Sequence, residues 1–346
     1  MVQRVQWAIL LASCITVTAQ FVTQSDDNLR PLRPNSFAQC IDSVNLSERV
    51  RRINNFTSKY LKLNGHLRIA VVGDTRATFD DLGPSAYWPA LLRIIKSNGA
   101  TLLLHLGDWV KRGESKIEWD RWCTLLETLD IPVLSTQGNH DRGEYYHSTG
   151  LEHRDQVVKQ VNVGPLRILS LNTESTPEKA QQTIAQLQSF TQHPYTIWMQ
   201  HRPIWTLGNH GSDEKGWASW LIPELQRMGT DLFIAGHDHL YERSCPSIDY
   251  KNRQCRSDGI LYVTSGGGGT SIVPIPGLSS KRTFAQKWQT WRHTDRFYGG
   301  RHFLLIDMSL SDHLEISIQI NVYGISPLGA LNLIDRFELP SRKWDQ

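Results

Sequence analysis

The stretch LRIAVVGD, residues 67–74, is an apolar run that ends in a glycine and an aspartate. A second stretch of the same form, TLLLHLGD, covers residues 101–108. Between them, residues 85–97 carry apolar side chains at helical spacing and stop at Asn98-Gly99, a pair typical of a helix end. Two buried strands joined by a helix predict neighbouring strands of a parallel sheet.

The alternation of strands and helices continues along the chain. Ser115 and Glu118 have the spacing of a capping box that begins a helix, and Thr176-Pro177 has the form of another helix start. Further strands are predicted at residues 131–136, 157–161, 166–171, 195–199, 231–235, 260–264, 303–308, 314–319 and 334–339, with helices at 177–192 and 214–228. The pattern predicts an α/β fold, a four-layer αββα sandwich of two mixed sheets flanked by helices.

Size and composition are those of a globular protein. With 346 residues, an apolar fraction of 40% and 12 tryptophans, the chain can bury a substantial core. Its formal net charge of +3 is close to neutral for this length, which gives no warrant for a dedicated nucleic-acid surface. We predict a polar N-terminal extension at residues 20–64, with one helix at 46–62, and a single domain at residues 65–346.

The N-terminus has the form of an export signal, predicted at residues 1–19. Arg4 provides the positive charge, an apolar stretch follows, and the small residues 17–19 suit a cleavage site. In an alternative interpretation, residues 11–14 resemble a bacterial lipoprotein cleavage box, which would leave a lipid anchor on Cys14. The apolar stretch is too short for a transmembrane span, so the sequence predicts a periplasmic or secreted protein.

The cysteine count agrees with export. Beyond the predicted signal, four cysteines remain, and an even number in an exported chain favours disulfides. Cys245 and Cys255 flank a polar loop and are the expected pair, which would leave Cys40 to pair with Cys123.

Five short clusters of polar residues follow apolar runs in a fixed order. They are Gly73-Asp74-Thr75-Arg76, Gly107-Asp108-Trp109, Gly138-Asn139-His140-Asp141, Gln200-His201-Arg202-Pro203 and Gly236-His237-Asp238-His239. Aspartate, asparagine and histidine hold hard to borderline metal ions. Because side chains at successive strand tips converge on one edge of a sheet, the series predicts a two-metal hydrolytic centre.

Six of these residues can hold two metals about 3.5–4 Å apart, bridged by one carboxylate. They are Asp74, Asp108, Asn139, His201, His237 and His239. Asp108 is the expected bridge because it ends a central strand. Two cations there would lower the pKa of a shared water and neutralise the charge of a phosphate. Mixed histidine, carboxylate and amide ligands favour Fe, Mn or Zn.

In this order the motifs resemble those of the calcineurin-like metallophosphoesterases. Residues 198–205 (WMQHRPIW) and 236–243 (GHDHLYER) are most similar to the purple acid phosphatase branch. The resemblance covers roughly residues 66–270, and its motifs are specific in combination although each alone is weak.

The resemblance implies a role for each motif residue. By it, Asp74, Asp108 and His239 would hold one metal, and Asp108, Asn139, His201 and His237 would hold the other. His140 matches the position that contacts the substrate and protonates the leaving alkoxide. Asp141 would orient and charge that histidine, the usual acid–base arrangement.

The chain departs from the family pattern at two positions. Many members have a histidine two residues after the first aspartate, where this chain has Arg76. Purple phosphatases have a tyrosine three residues after the second aspartate, where this chain has Lys111, so we predict a colourless protein. Either the first metal site is weaker, or Arg76 grips the substrate phosphate, with Arg142 and Arg202 assisting it.

The sequence therefore predicts an exported dinuclear-metal phosphoesterase that hydrolyses phosphomonoesters by attack of a metal-bound hydroxide. The alternatives are a phosphodiesterase for nucleotide-like diesters, or a non-catalytic phosphate- or metal-binding protein with a degenerate first site. The expected partner is a small phosphoester. Two further histidines have interpretations of their own: His105 is expected to be buried and structural, and His210 to lie in an exposed polar loop, with substrate contact as its alternative.

Overall fold

The computed structural model describes residues 46–78, 84–129, 131–148, 157–187, 193–213, 215–247, 255–272, 294–327 and 329–344. The predicted export signal, Cys14, Cys40 and the predicted extension up to residue 45 lie outside these residues. None of the helices in the described part of the chain is long and apolar enough to span a membrane.

Six helices and thirteen strands occupy the described residues. The helices are α1 (Leu46–Asn64), α2 (Trp88–Ser97), α3 (Lys116–Glu127), α4 (Glu144–Ser148), α5 (Pro177–Gln186) and α6 (Ala218–Arg227). The strands are β1 (His66–Val72), β2 (Leu102–His105), β3 (Val133–Ser135), β4 (Val158–Val163), β5 (Leu166–Leu171), β6 (Tyr195–Gln200), β7 (Leu232–Ala235), β8 (Tyr241–Ser244), β9 (Leu261–Ser265), β10 (Thr294–Tyr298), β11 (His302–Leu310), β12 (Glu315–Ile325) and β13 (Leu331–Lys343).

The strands form two mixed sheets. The first has the order β13-β12-β11-β1-β2-β3, in which β1, β2 and β3 are parallel and the remaining pairs antiparallel. The second has the order β10-β8-β9-β7-β6-β5-β4, in which β5, β6, β7 and β9 are parallel. Because the parallel strands stand next to one another in each sheet, their carboxyl ends share one edge, where ligand sites of α/β proteins form.

Apolar side chains fill three layers of core. The inner layer lies between the sheets and joins residues such as Leu104 of β2 to Ile197 of β6. The second layer packs α2 and α3 on the first sheet, and the third packs α5 and α6 on the second sheet. This arrangement confirms the predicted four-layer sandwich.

Local signals account for the starts of α3 and α5. The Ser115 hydroxyl accepts the Glu118 amide, and the Thr176 hydroxyl accepts the Lys179 amide, as their cap positions predict. The Glu118 carboxylate does not complete the capping box, because it accepts the Lys111 amide at 2.8 Å instead. The sequence did not predict β8 and β10, two short strands that pair with each other at one edge of the second sheet.

Helix α1, which falls in the predicted extension, contributes to the core. Its Ile53 and Leu61 are buried among residues of both sheets. Further along, Cys245 and Cys255 form the expected disulfide, with Cα atoms 5.5 Å apart. Cys123 is disulfide-bonded as well, and Cys40, the partner expected for it, lies outside the described residues.

An aromatic cluster supports the end of β2. His105 is fully buried, as expected, and its ring stacks on Trp109 at 3.4 Å between centroids. Trp122 of α3 lies 4.8 Å from Trp109 and 4.7 Å from Trp88, and its indole N–H donates to the backbone oxygen of Trp109. Because Trp109 follows Asp108 directly, this packing fixes the backbone of a predicted metal ligand.

We expect Trp122→Ala to destabilise the protein by about 3–5 kcal/mol, because the indole is fully buried and its removal leaves a cavity. The unfolding midpoint in urea measures the change. Ile117→Ala on the same helix is the control, since its side chain is 54% exposed and the substitution should cost under about 0.5 kcal/mol. Equal effects of the two substitutions would contradict this account.

Candidate metal centre

The predicted ligands lie in the turns that follow β1, β2, β3, β6 and β7. Asp74, Asp108 and His237 adopt positive φ angles of 57°, 58° and 70°, which are uncommon for residues other than glycine. At such a turn the chain leaves the strand abruptly, so the side chain enters the space at the edge of the sheet. Glycine is required at position 236, directly before His237, because a Cβ atom there would lie 2.7 Å from an oxygen of Asp74.

Four donor atoms converge around the ring of His201. Its Nε2 lies 3.0 Å from the amide oxygen of Asn139, 3.1 Å from Nδ1 of His237 and 3.4 Å from Oδ1 of Asp108. Adjacent ligands of one metal, each about 2.1 Å from it and at right angles, are about 3 Å apart. The spacing therefore suits one cation held by these four side chains.

The protonation of His201 is also that of a ligand. Its Nδ1 donates to the backbone oxygen of Leu106 at 2.8 Å, which leaves the lone pair on Nε2, toward the centre. Burial lowers the pKa of His201 to about 4, although the charge of Asp108 opposes that shift. The ring is therefore neutral near pH 7, as metal binding requires.

A second donor set forms around Asp74. Its Oδ2 accepts the backbone amide of His237 at 2.8 Å, whereas its Oδ1 is buried and has no hydrogen-bond partner among the described residues. Nε2 of His239 lies 3.6 Å from that oxygen. A buried carboxylate oxygen without a donor is costly, and a cation would satisfy it.

The two donor sets meet at Asp108. Oxygens of Asp74 and Asp108 and a ring nitrogen of His201 all lie within 4.8 Å of one another. Burial disfavours the charge of Asp108, but His201, His140 and Arg76 together hold the pKa of its carboxyl below the usual value. All six predicted ligands are thus brought together, with Asp108 between the two groups, and their donor atoms fit two cations.

Arg76 lies where the first metal would have its fourth protein ligand. Its Nε donates to Oδ2 of Asp108 at 3.2 Å, and its side chain is only 14% exposed. Burial lowers the pKa of His239, and the positive charge of Arg76 lowers it further, to about 3. Arg76 therefore neutralises part of the ligand charge on the side of the first site.

His140 lies at the mouth of the centre. Its Nδ1 donates to the backbone oxygen of Lys111 at 2.8 Å, and its Nε2 faces Oδ2 of Asp108 at 4.0 Å. The side chain is one-third exposed, so a substrate can reach it. The protein thus aims Nε2 of His140 at the centre.

Asp141 does not orient His140, which corrects the role implied by the resemblance. Its buried carboxylate accepts four backbone amides, those of Asp108, Trp109 and Gly138 at 2.8–2.9 Å and that of Val110 at 3.3 Å. Burial and the charge of Asp108 raise the pKa of Asp141 to about 8, while the amides oppose that shift. Asp141 joins the loops after β2 and β3 and thereby positions their ligands.

His210 lies in an exposed loop, as expected, and this loop runs beside the centre. Its ring is 3.9 Å from that of His237 between centroids, and its Nδ1 bonds to Oδ1 of Asp238 at 2.9 Å. The sequence signal for this placement was Asp238, which stands between two predicted ligand histidines. Its buried carboxylate needs a hydrogen-bond donor, and His210, in the loop after β6, provides one.

Sequence reasoning also missed a buried acidic residue, Glu174. It accepts Arg202 Nε at 2.6 Å and Arg142 Nε at 3.1 Å, and Lys215 Nζ lies 3.9 Å away. Burial alone would raise the pKa of Glu174, but the hydrogen bonds of Arg202 and Arg142 hold it below its usual value. Arg202 also lies 3.1 Å from Nε2 of His237. The Glu174 carboxylate therefore holds two arginine side chains, Arg142 and Arg202, next to the ligand motifs.

Comparison with known proteins agrees with this geometry. The model of the calcineurin-like phosphoesterase family matches residues 67–241, which include all six predicted ligands. Over 265 residues the chain is 22% identical to "Probable inactive purple acid phosphatase 1" of Arabidopsis thaliana, and the match covers 63% of this chain and 41% of that protein. Over 283 residues it is 25% identical to "Nucleotide pyrophosphatase/phosphodiesterase" of Hordeum vulgare, with coverage of 67% and 75%.

A solved structure shows the same fold. The structure of purple acid phosphatase PPD1 from yellow lupin (Lupinus luteus) matches with a TM-score of 0.57 and 18% identity, covering 81% of this chain and 54% of that one. The chain spans 41% and 39% of the lengths of two Arabidopsis thaliana relatives that it matches. The predicted resemblance to this family and to its purple acid phosphatase branch is confirmed.

We expect Arg76→Ala to tighten metal binding at the weaker of the two sites by at least about tenfold, because a cation close to the ligands repels an incoming metal ion. Calorimetric titration of chelator-treated protein with Mn²⁺, with elemental analysis of the product, measures affinity and stoichiometry. Arg93→Ala, an exposed residue of α2, is the matched control. Unchanged or weaker binding in the Arg76 variant would show that the guanidinium does not compete with a cation.

Proposed function

The chain belongs to the calcineurin-like phosphoesterase family, and from this premise we propose that it is an exported, two-metal hydrolase of phosphomonoesters. The convergence of two donor sets on the shared carboxylate of Asp108 is the observation that carries the proposal. Nitrogen and oxygen donors in this mixture suit Fe, Mn or Zn. The residues matching purple acid phosphatases favour monoesters as the substrate class.

The metal ions, when bound, would lower the pKa of a water and neutralise the charge of the phosphate. The chain provides the remaining charge. Arg76 is held at the centre by Asp108, and its planar guanidinium suits two-point contact with phosphate oxygens. His210, beside two of the ligand histidines, is a further candidate for phosphate contact.

His140 is the proposed proton donor. Because its Nδ1 already donates to the Lys111 oxygen, the proton that can be transferred is the one on Nε2. That nitrogen faces the carboxylate of Asp108 at 4.0 Å, on the side of the metal centre. Its exposure allows it to reach the ester oxygen of a bound substrate, where the leaving alkoxide needs a proton.

Phosphodiesters are the alternative substrate class. The barley relative named as a nucleotide pyrophosphatase/phosphodiesterase favours this alternative. Turnover of p-nitrophenyl phosphate measured beside that of bis-p-nitrophenyl phosphate distinguishes the classes. A higher kcat/KM for the diester would replace monoesters by diesters in the proposal without affecting the metal centre.

A non-catalytic receptor for metal or phosphate is the second candidate. The ion pair of Arg76 with Asp108 favours it, as does Lys111 in place of a tyrosine. Three Arabidopsis thaliana relatives are also named as probably inactive. A receptor would hold one tight metal ion per chain and turn over no ester even with added Mn²⁺. Two metal ions per chain together with hydrolysis would exclude it.

We expect His140→Ala to lower kcat by about 100- to 10,000-fold for an alkyl ester such as phosphoserine, because the alkoxide then leaves without a proton. The loss should be much smaller, about tenfold, for p-nitrophenyl phosphate, whose leaving group needs no proton. Steady-state kinetics on both substrates, with metal content measured in parallel, provides the test. His313→Ala, at an exposed turn, is the control. Equal losses on both substrates would assign His140 a role other than proton donation.

A further inference from the structure

A cavity of about 310 Å³ lies at the edge of the first sheet where β1 ends, between the turn before α2, the ends of β10 and β12 and the start of β11. Its walls include Tyr87, Tyr298, Ile272, Ile325 and Arg301. One water molecule takes about 30 Å³ of liquid volume, so the cavity has room for a group of one or two fused rings.

Two walls of the cavity are linked to the first metal site through intervening residues. Ile272 follows Ser271, whose hydroxyl lies 3.4 Å from Nδ1 of His239. On the other wall, the backbone amide of Tyr87 contacts the Ser85 hydroxyl at 3.4 Å. The Ser85 amide in turn donates at 3.0 Å to the oxygen of Thr75, the residue after Asp74.

Arg301 gives the cavity its chemical character. Its guanidinium lies on the face of Tyr87, 3.6 Å from the ring centroid. Its Nε is buried and has no acceptor within the part of the chain that the structure describes. Among the described residues that line the cavity, none is acidic. A buried donor of this kind is costly unless a ligand provides an acceptor.

The other walls favour flat apolar groups. Tyr298, Ile272 and Ile325 offer apolar surface, and planar π systems stack on tyrosine rings and on guanidinium planes. A cationic group would be repelled by Arg301, and a flexible polyol would leave the apolar surface wet.

We propose that this cavity binds the organic group of the phosphoester and selects planar aromatic groups that carry a hydrogen-bond acceptor. The inference rests on the proposed function, because it uses the metal centre as the place where the phosphate of the same substrate binds. The cavity then determines which esters bind well, while the residues of the metal centre determine how fast they react.

The experiment compares an aromatic ester, 4-methylumbelliferyl phosphate, with an aliphatic one, β-glycerophosphate. We expect Arg301→Met to raise KM for the aromatic ester about tenfold with kcat unchanged, and to change KM for the aliphatic ester less than twofold, because a uniform binding contact is lost. Arg301→Lys keeps the charge but not the planar group, and should recover only part of the affinity. Arg121→Met, an exposed residue of α3, is the matched control.

A binding measurement separates this inference from the proposed function. Fluorescence anisotropy of 4-methylumbelliferone, the alcohol of the aromatic ester, reports occupancy of the cavity without turnover. Binding that weakens in Arg301→Met supports the cavity even if no ester is hydrolysed, in which case the proposed function alone fails. Equal changes of KM for both esters, or umbelliferone binding that is absent or insensitive to Arg301 and Tyr298→Leu, would overturn the inference.

Discussion

The burial of the Asp108 carboxylate is the constraint on which the rest of the centre depends. A buried negative charge is tolerated only when cations or hydrogen-bond donors surround it. Here the His140 amide donates to Oδ1, Arg76 donates to Oδ2, and the ring of His201 lies close by. Each of these groups comes from a different turn, so the charge of one side chain determines how four segments approach one another.

Much of the fold could be predicted because its central strands, such as β2, β5, β6 and β7, are buried on both faces. Runs such as residues 67–72 and 195–199 are mostly apolar, and the helices between them have clear ends. The strands β8 and β10 could not be predicted in this way, because they are short and their polar side chains, such as Arg243 and Arg296, carry no alternating pattern. Their pairing is decided by tertiary contacts rather than by local sequence.

The six ligands could be located from the sequence because each follows a strand tip and each motif has fixed order. The residues that hold these ligands in place could not be located from the sequence, because such contacts depend on the three-dimensional fold and not on spacing along the chain. Asp141 stands next to His140 in sequence, yet its carboxylate turns to backbone amides, and a backbone oxygen holds the histidine. Glu174 lies in no motif, and only the fold brings it to Arg142 and Arg202.

The bonds of Asp141 have a consequence for how the centre responds to the loss of its ions. Four peptide N–H groups from two ligand loops end on this one carboxylate, which is not itself a predicted ligand. Hydrogen bonds within the chain therefore hold the shape of those loops, and bound metal ions are not needed to impose it. Loops preformed in this way would let the centre be emptied and reloaded without the chain having to refold each time.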